Sequence, residues 1–215
     1  MKVYFLPGMC VNCKVFDKIT LPEGYEKSYI EWLPPSEEAF EEYVRQMAAP
    51  INTEEPFILV GYSMGGIIMQ EMNRFLKPEK NILISSIKQR DEIPPLFRLA
   101  KKTQVNKNIK NIPLQIHQVN PRVTSMFAQF ILSMTEEETE QCIADTSPEY
   151  LKWAIYNITE WEPKGDCPNL YHIHGTDDRV FPFRLIRNAF SVRGGDHMMI
   201  HRKAEDVSRF LAQIL

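Results

Sequence analysis

No apolar run in this 215-residue sequence approaches the roughly 18 residues that a bilayer-crossing helix needs, so no membrane partner is expected. Cysteine is scarce. Cys10, Cys13, Cys142 and Cys167 are too few for a disulfide scaffold at this length, and reduced thiols are the expectation. An excess of one charge is missing too: 25 Lys and Arg face 28 Asp and Glu. That balance excludes the basic footprint of a nucleic-acid binder. There are no repeats, low-complexity tracts or flexible linkers, so residues 1–215 are expected to form one domain. The opening Met1-Lys2-Val3-Tyr4-Phe5-Leu6-Pro7-Gly8 is too short for a signal-peptide core and ends in a Pro-Gly turn. It reads as a first strand, and a cytoplasmic location is expected.

What is present is an alternation. Strand-like runs occur at Val3–Leu6, Ser28–Leu33, Phe57–Val60, Ile82–Ile84, Leu170–His174 and Ala189–Val192. Helical patterns lie between several of them. Ser36 can cap a helix that opens with Glu37 and Glu38 and puts Phe40, Tyr43, Val44 and Met47 on one face. A second helix is expected from about Met64 to Leu76, and an amphipathic one from about Lys203 to Leu215. Strands alternating with helices imply a parallel sheet covered on both faces. From about Ile87 to Pro168 the rhythm breaks into helix starts. Asn120-Pro121 and Ser147-Pro148 each place a capping side chain before a proline, and Thr135 with Glu138 forms a capping box. This stretch reads as a helical cap, residues 87–168, inserted into a core of about 1–86 and 169–215.

Three segments carry chemistry. Gly61-Tyr62-Ser63-Met64-Gly65-Gly66 follows the most apolar strand and opens a helix. A turn that tight lifts the Ser63 hydroxyl above the strand end and aims the Met64 N–H at a reacting carbonyl oxygen. At the end of the first strand, Leu6-Pro7-Gly8-Met9 can present the Met9 N–H as a second oxyanion donor. Late in the chain, His174-Gly175-Thr176-Asp177-Asp178 offers a carboxylate just past a strand, with Asp178 preferred and Asp177 the alternative. Gly194-Gly195-Asp196-His197 then offers a general base, His197. The chain order Ser, Asp, His, each after a strand, fits a nucleophile, an acid and a base.

Together these segments resemble the α/β-hydrolase superfamily, and the opening Phe5-Leu6-Pro7-Gly8-Met9 resembles its short bacterial members. The resemblance implies an α/β-hydrolase fold with a mostly parallel sheet of about six strands, because the chain starts at what would be the family's third strand. It implies catalytic Ser63, Asp178 and His197, an oxyanion hole at Met9 and Met64, and no metal or organic cofactor. The usual His-Gly before the oxyanion turn is Pro7-Gly8 here.

Cys10-Val11-Asn12-Cys13 could be a redox pair or half of a zinc site, but there is no second C-x-x-C, and structural thiols are expected. Phe97, Met126, Phe127, Phe130, Ile131, Met134, Trp153, Tyr156 and Trp161 give the cap its apolar content, and a few of them are expected to line an acyl pocket. The expected activity is hydrolysis of an ester or thioester of a small to medium acyl substrate through an acyl-enzyme. The alternative is a hydrolase-fold module that binds or senses a small ligand with little turnover.

Overall fold

The computed structural model describes residues 1–34, 39–104, 134–144 and 147–215. Six strands form one all-parallel sheet: β1 (Lys2–Leu6), β2 (Glu26–Tyr29), β3 (Phe57–Tyr62), β4 (Lys80–Ile84), β5 (Leu170–Gly175) and β6 (Phe190–Val192). Their spatial order is β2-β1-β3-β4-β5-β6. The chain therefore starts inside the sheet, steps outward to β2, and returns past β1 to build the other half. Between β1 and β3 the direction of progress reverses, and the crevice beyond their C-terminal ends is where sheets of this kind receive ligands.

The period of two sorts each inner strand into two apolar layers. Val3 and Phe5 of β1, with Ile58, Val60 and Tyr62 of β3, pack with Val207, Leu211 and Ile214 of the C-terminal helix. Tyr4, Leu6, Phe57 and Leu59 point the other way, toward Tyr43, Val44 and Met47 of α1 (Phe40–Ala48) and Ile67, Ile68 and Met72 of α2 (Met64–Met72). All six residues of β3 are buried, as a strand covered on both faces requires. The outermost strands, β2 and β6, are short and partly exposed, which limits edge-to-edge pairing.

Two boundaries differ most from the sequence expectation, each for a local reason. The second strand ends at Tyr29, not Leu33. Ile30 donates the last rung to the Phe5 carbonyl, and the chain then bends so that Trp32 reaches the turn after β1. Helix α2 ends at Met72. The Asn73 side chain caps it by donating to the Met69 carbonyl and cross-bonds to Asn81, so the register cannot run on to Leu76.

Between β4 and β5 the described residues form helices α3 (Pro95–Lys102), α4 (Glu136–Cys142) and α5 (Pro148–Glu160). The capping box forms: the Thr135 N–H donates to Glu138, and the Glu138 N–H donates to Thr135 Oγ1. Ser147 caps α5 through the Tyr150 N–H. The Ser36 cap, the Asn120-Pro121 start, and Met126, Phe127, Phe130 and Ile131 lie outside the described residues. Trp153 and Trp161 serve mainly as packing. Trp153 lies 4.3 Å from the Tyr43 ring, and the Trp161 indole donates to the buried Glu71. After β6 come α6 (Met199–Arg202) and α7 (Ala204–Ile214). Among the described residues no helix is long and apolar enough to cross a membrane.

Candidate active site

Ser63 stands between β3 and α2 with φ 52° and ψ −121°, a conformation costing a non-glycine residue about 1–3 kcal/mol. The neighbourhood enforces it. A Cβ on Gly65 would lie 2.3 Å from the Leu6 carbonyl oxygen, and one on Gly61 would lie 2.5 Å from Gly66 Cα. Glycine at those two positions lets the turn press against β1. Three hydrogen bonds then hold the turn: Ser63 N–H to the Ile84 carbonyl, Gly66 N–H to the Ser63 carbonyl, and Ser86 Oγ to that same carbonyl at 2.7 Å. Ser86 carried no motif signal, because a lone serine after a strand has none.

The structure brings Ser63, His197 and Asp178 together at the C-terminal end of the sheet. His197 Nε2 lies 3.0 Å from Ser63 Oγ, and His197 Nδ1 lies 2.9 Å from Asp178 Oδ2. Asp178 is buried, and its other oxygen accepts the Val180 and Phe181 N–H groups at 2.9 Å each. Burial alone would raise the Asp178 carboxyl. His197 opposes this by charge and hydrogen bond, aided by His174 and the Phe181 N–H, and the carboxyl sits below its usual value. Asp177 is exposed and accepts the Thr176 hydroxyl instead.

Tyr62, the residue before Ser63, is fully enclosed and donates to the His197 carbonyl at 3.0 Å. It ties the serine turn to the histidine loop. His201 follows His197 by four residues, yet its ring turns away: Nε2 faces Lys18 Nζ at 3.0 Å and Nδ1 faces Cys142 Sγ at 4.0 Å.

The turn after β1 faces the serine turn. The Trp32 indole donates to the Gly8 carbonyl at 2.9 Å, which orients the next peptide. On the far side, Asn12 N–H donates to the Cys142 carbonyl, and Ala144 N–H donates to the Cys10 carbonyl. The hydrogen bonds of the described residues leave the Met9 and Met64 N–H groups unused. Cys10 and Cys13 are buried thiols outside any disulfide, and burial pushes the Cys13 thiol up, away from a reactive thiolate.

A cavity of about 210 Å³ opens on Ser63 and His197. Its walls are largely apolar: Met9, Phe97, Ile155, Ile158, Val180 and Phe181, with Tyr62 and Thr159 also lining it. Helices α3 and α5 supply Phe97 and the 155–159 wall, so the segment between β4 and β5 shapes the space above the serine.

The alpha/beta hydrolase family model matches residues 21–210. No curated protein matches the chain. Among solved structures, an esterase from Exiguobacterium antarcticum is 20% identical with a TM-score of 0.68, covering 98% of this chain and 90% of its own. A lipase-esterase related protein from Clostridium acetobutylicum is 17% identical with a TM-score of 0.66, covering 100% and 94%. An epoxide hydrolase from Bacillus megaterium is 11% identical with a TM-score of 0.67, covering 99% and 92%. At these identities the likeness is one of fold. The family match over most of the length, joined to the all-parallel six-stranded sheet, places this chain in the alpha/beta hydrolase family.

Proposed function

We propose that this hydrolase cleaves an ester or thioester of a small to medium acyl group, with Ser63 as nucleophile, His197 as base and Asp178 as acid. The observation that carries the reading is the unbroken line Ser63–His197–Asp178, opening onto an apolar cavity. A serine hydroxyl is a poor nucleophile unless a base removes its proton, and His197 Nε2 is within reach of it. Asp178 holds the imidazole by Nδ1–H and stabilises the imidazolium formed as Ser63 attacks. The Met9 and Met64 N–H groups receive the oxyanion. His197 then protonates the leaving group and activates the water that releases the acid. No described residue lining the cavity carries a charge other than through His197, which suits a neutral acyl chain. The working location proposed is the cytoplasm.

The test is a panel of activated acyl esters and acyl-CoA thioesters of graded chain length, with fluorophosphonate labelling alongside. Wild type should turn over the shorter members and take one label per chain, on the peptide containing Ser63. Ser63→Ala and folded His197→Ala should do neither. A wild-type chain that stays unlabelled and inert, yet binds one small ligand tightly, would make it a sensing module instead.

A further inference from the structure

Two buried imidazoles behind Asp178 have no part in the reaction just described. His174 Nε2 lies 2.8 Å from the Phe181 carbonyl oxygen and 3.3 Å from Asp178 Oδ2, the same oxygen that meets His197. His174 Nδ1 lies 3.1 Å from His172 Nε2, and His172 Nδ1 lies 3.2 Å from Lys88 Nζ. The spacing of two along β5 is what puts both rings on one face.

The proton positions follow from the acceptors. A carbonyl oxygen can only accept, so His174 Nε2 carries a hydrogen. Burial pushes both imidazoles down, so each is neutral near pH 7 and keeps one lone pair. His174 Nδ1 must then accept from His172 Nε2–H, and His172 Nδ1 accepts from the Lys88 ammonium. Each donor in the row from Lys88 inward points to the next group, and the last, His174 Nε2–H, donates to the Phe181 carbonyl with Asp178 Oδ2 beside it at 3.3 Å. Such a row polarises along its length.

We propose that His174, backed by His172 and Lys88, is a positioning residue for Asp178: its Nε2–H bears on the carboxylate oxygen that His197 uses and sets how strongly that oxygen holds the His197 proton. The proposal rests on Asp178 being the acid of the reaction above. A second N–H beside Oδ2 drains charge from it and weakens its pull on His197 Nδ1–H. Without that N–H, the carboxylate grips the proton harder, the imidazolium is favoured, and the base is lost at a higher pH. The charged and titratable groups around His174 are Asp178 and His197 at the strand end, His172 on its own strand, and Lys88 with Glu92 after β4. Tyr62, with the Asp196–Arg202 pair, lies on the His197 side. Of these, only His174 and His197 meet Asp178 Oδ2 among the described residues.

The test compares His174→Phe and His174→Asn, which lack a donor at the Nε2 position, with His174→Gln, whose Nε2 lies the same number of bonds from Cβ. Two readouts apply: the acid limb of kcat/KM on an activated acyl ester, and the titration of the His197 ring signals by NMR, which needs no turnover. In the Phe and Asn variants both should move up by about one pH unit, and Gln should restore them. If Phe does not fold, the Asn–Gln pair carries the same comparison. A folded variant that loses rate equally at every pH, with the limb and the ring titration unmoved, would reduce His174 to packing and overturn the proposal. If no ester is turned over at all, the hydrolase reading fails, and the NMR titration alone still decides the role of His174.

Discussion

Asp177 and Asp178 are adjacent carboxylates in opposite surroundings: one is exposed on a turn, and the other is buried with four N–H groups within 3.3 Å. Asp178→Asn should leave the fold intact and lower kcat by about ten-thousand-fold, because the amide no longer fixes the imidazole tautomer. Asp177→Asn should be nearly silent, and the reverse ranking in steady-state kinetics would overturn the assignment. Trp32 makes a second residue-scale case. Its only polar atom holds the Gly8 carbonyl, so Trp32→Phe should lower kcat about tenfold with little change in KM, through a displaced Met9 peptide. A rise in KM at unchanged kcat would instead mark Trp32 as a wall of the substrate site. These residues also show what a sequence conveys. The structure brings Ser63, Asp178 and His197 together, and the sequence pointed to each through a turn whose neighbours are constrained. Trp32, Tyr62 and Ser86 act through single hydrogen bonds between segments distant in sequence, which leave no local pattern. For His174 the signal was present in the His-x-His spacing, but its meaning depended on where the loop after β5 returned.

At the scale of elements, strands buried on both faces were the most legible, since an apolar run such as Phe57–Val60 admits few other placements. Edge strand β2 was the least, because its end is set by Trp32 bonding elsewhere and not by its own residues. Helix α4 is held by charge: Glu138 accepts from Arg202 of α6, and Arg202 also reaches Asp196, next to His197. The Arg202 hydrogen bond outweighs burial and holds the Glu138 carboxyl at about 2. Its contribution is therefore complete above the ordinary value of 4.5 and is lost as pH falls toward 2. Glu138→Gln should cost about 1–2 kcal/mol and speed amide exchange at Asn12 and Ala144 ahead of β3. Unchanged exchange at those two amides would show that α4 is held by its apolar contacts.

For the molecule as a whole, three buried histidines set the response to mild acid. Burial lowers His172, His174 and His201 below the ordinary 6.5. An unfolded chain takes up their protons first, so their contribution is complete above about pH 6.5 and declines as pH falls below it. Urea midpoints should drop between pH 7.5 and 5.5, and His172→Leu should flatten that dependence. A variant that keeps the wild-type slope would place the sensitivity elsewhere. A further consequence follows from the antiparallel bridge between Val11 and Ile143. It joins the turn after the first strand to a short stretch of the segment between β4 and β5, so the described part of that segment is a splint for the candidate site as well as a roof over it. An engineer who exchanged the roof for one from a relative, to change substrate preference, would have to carry Cys142, Ile143 and Ala144 across unchanged. Otherwise the graft would gain a new pocket above a turn that had lost its brace.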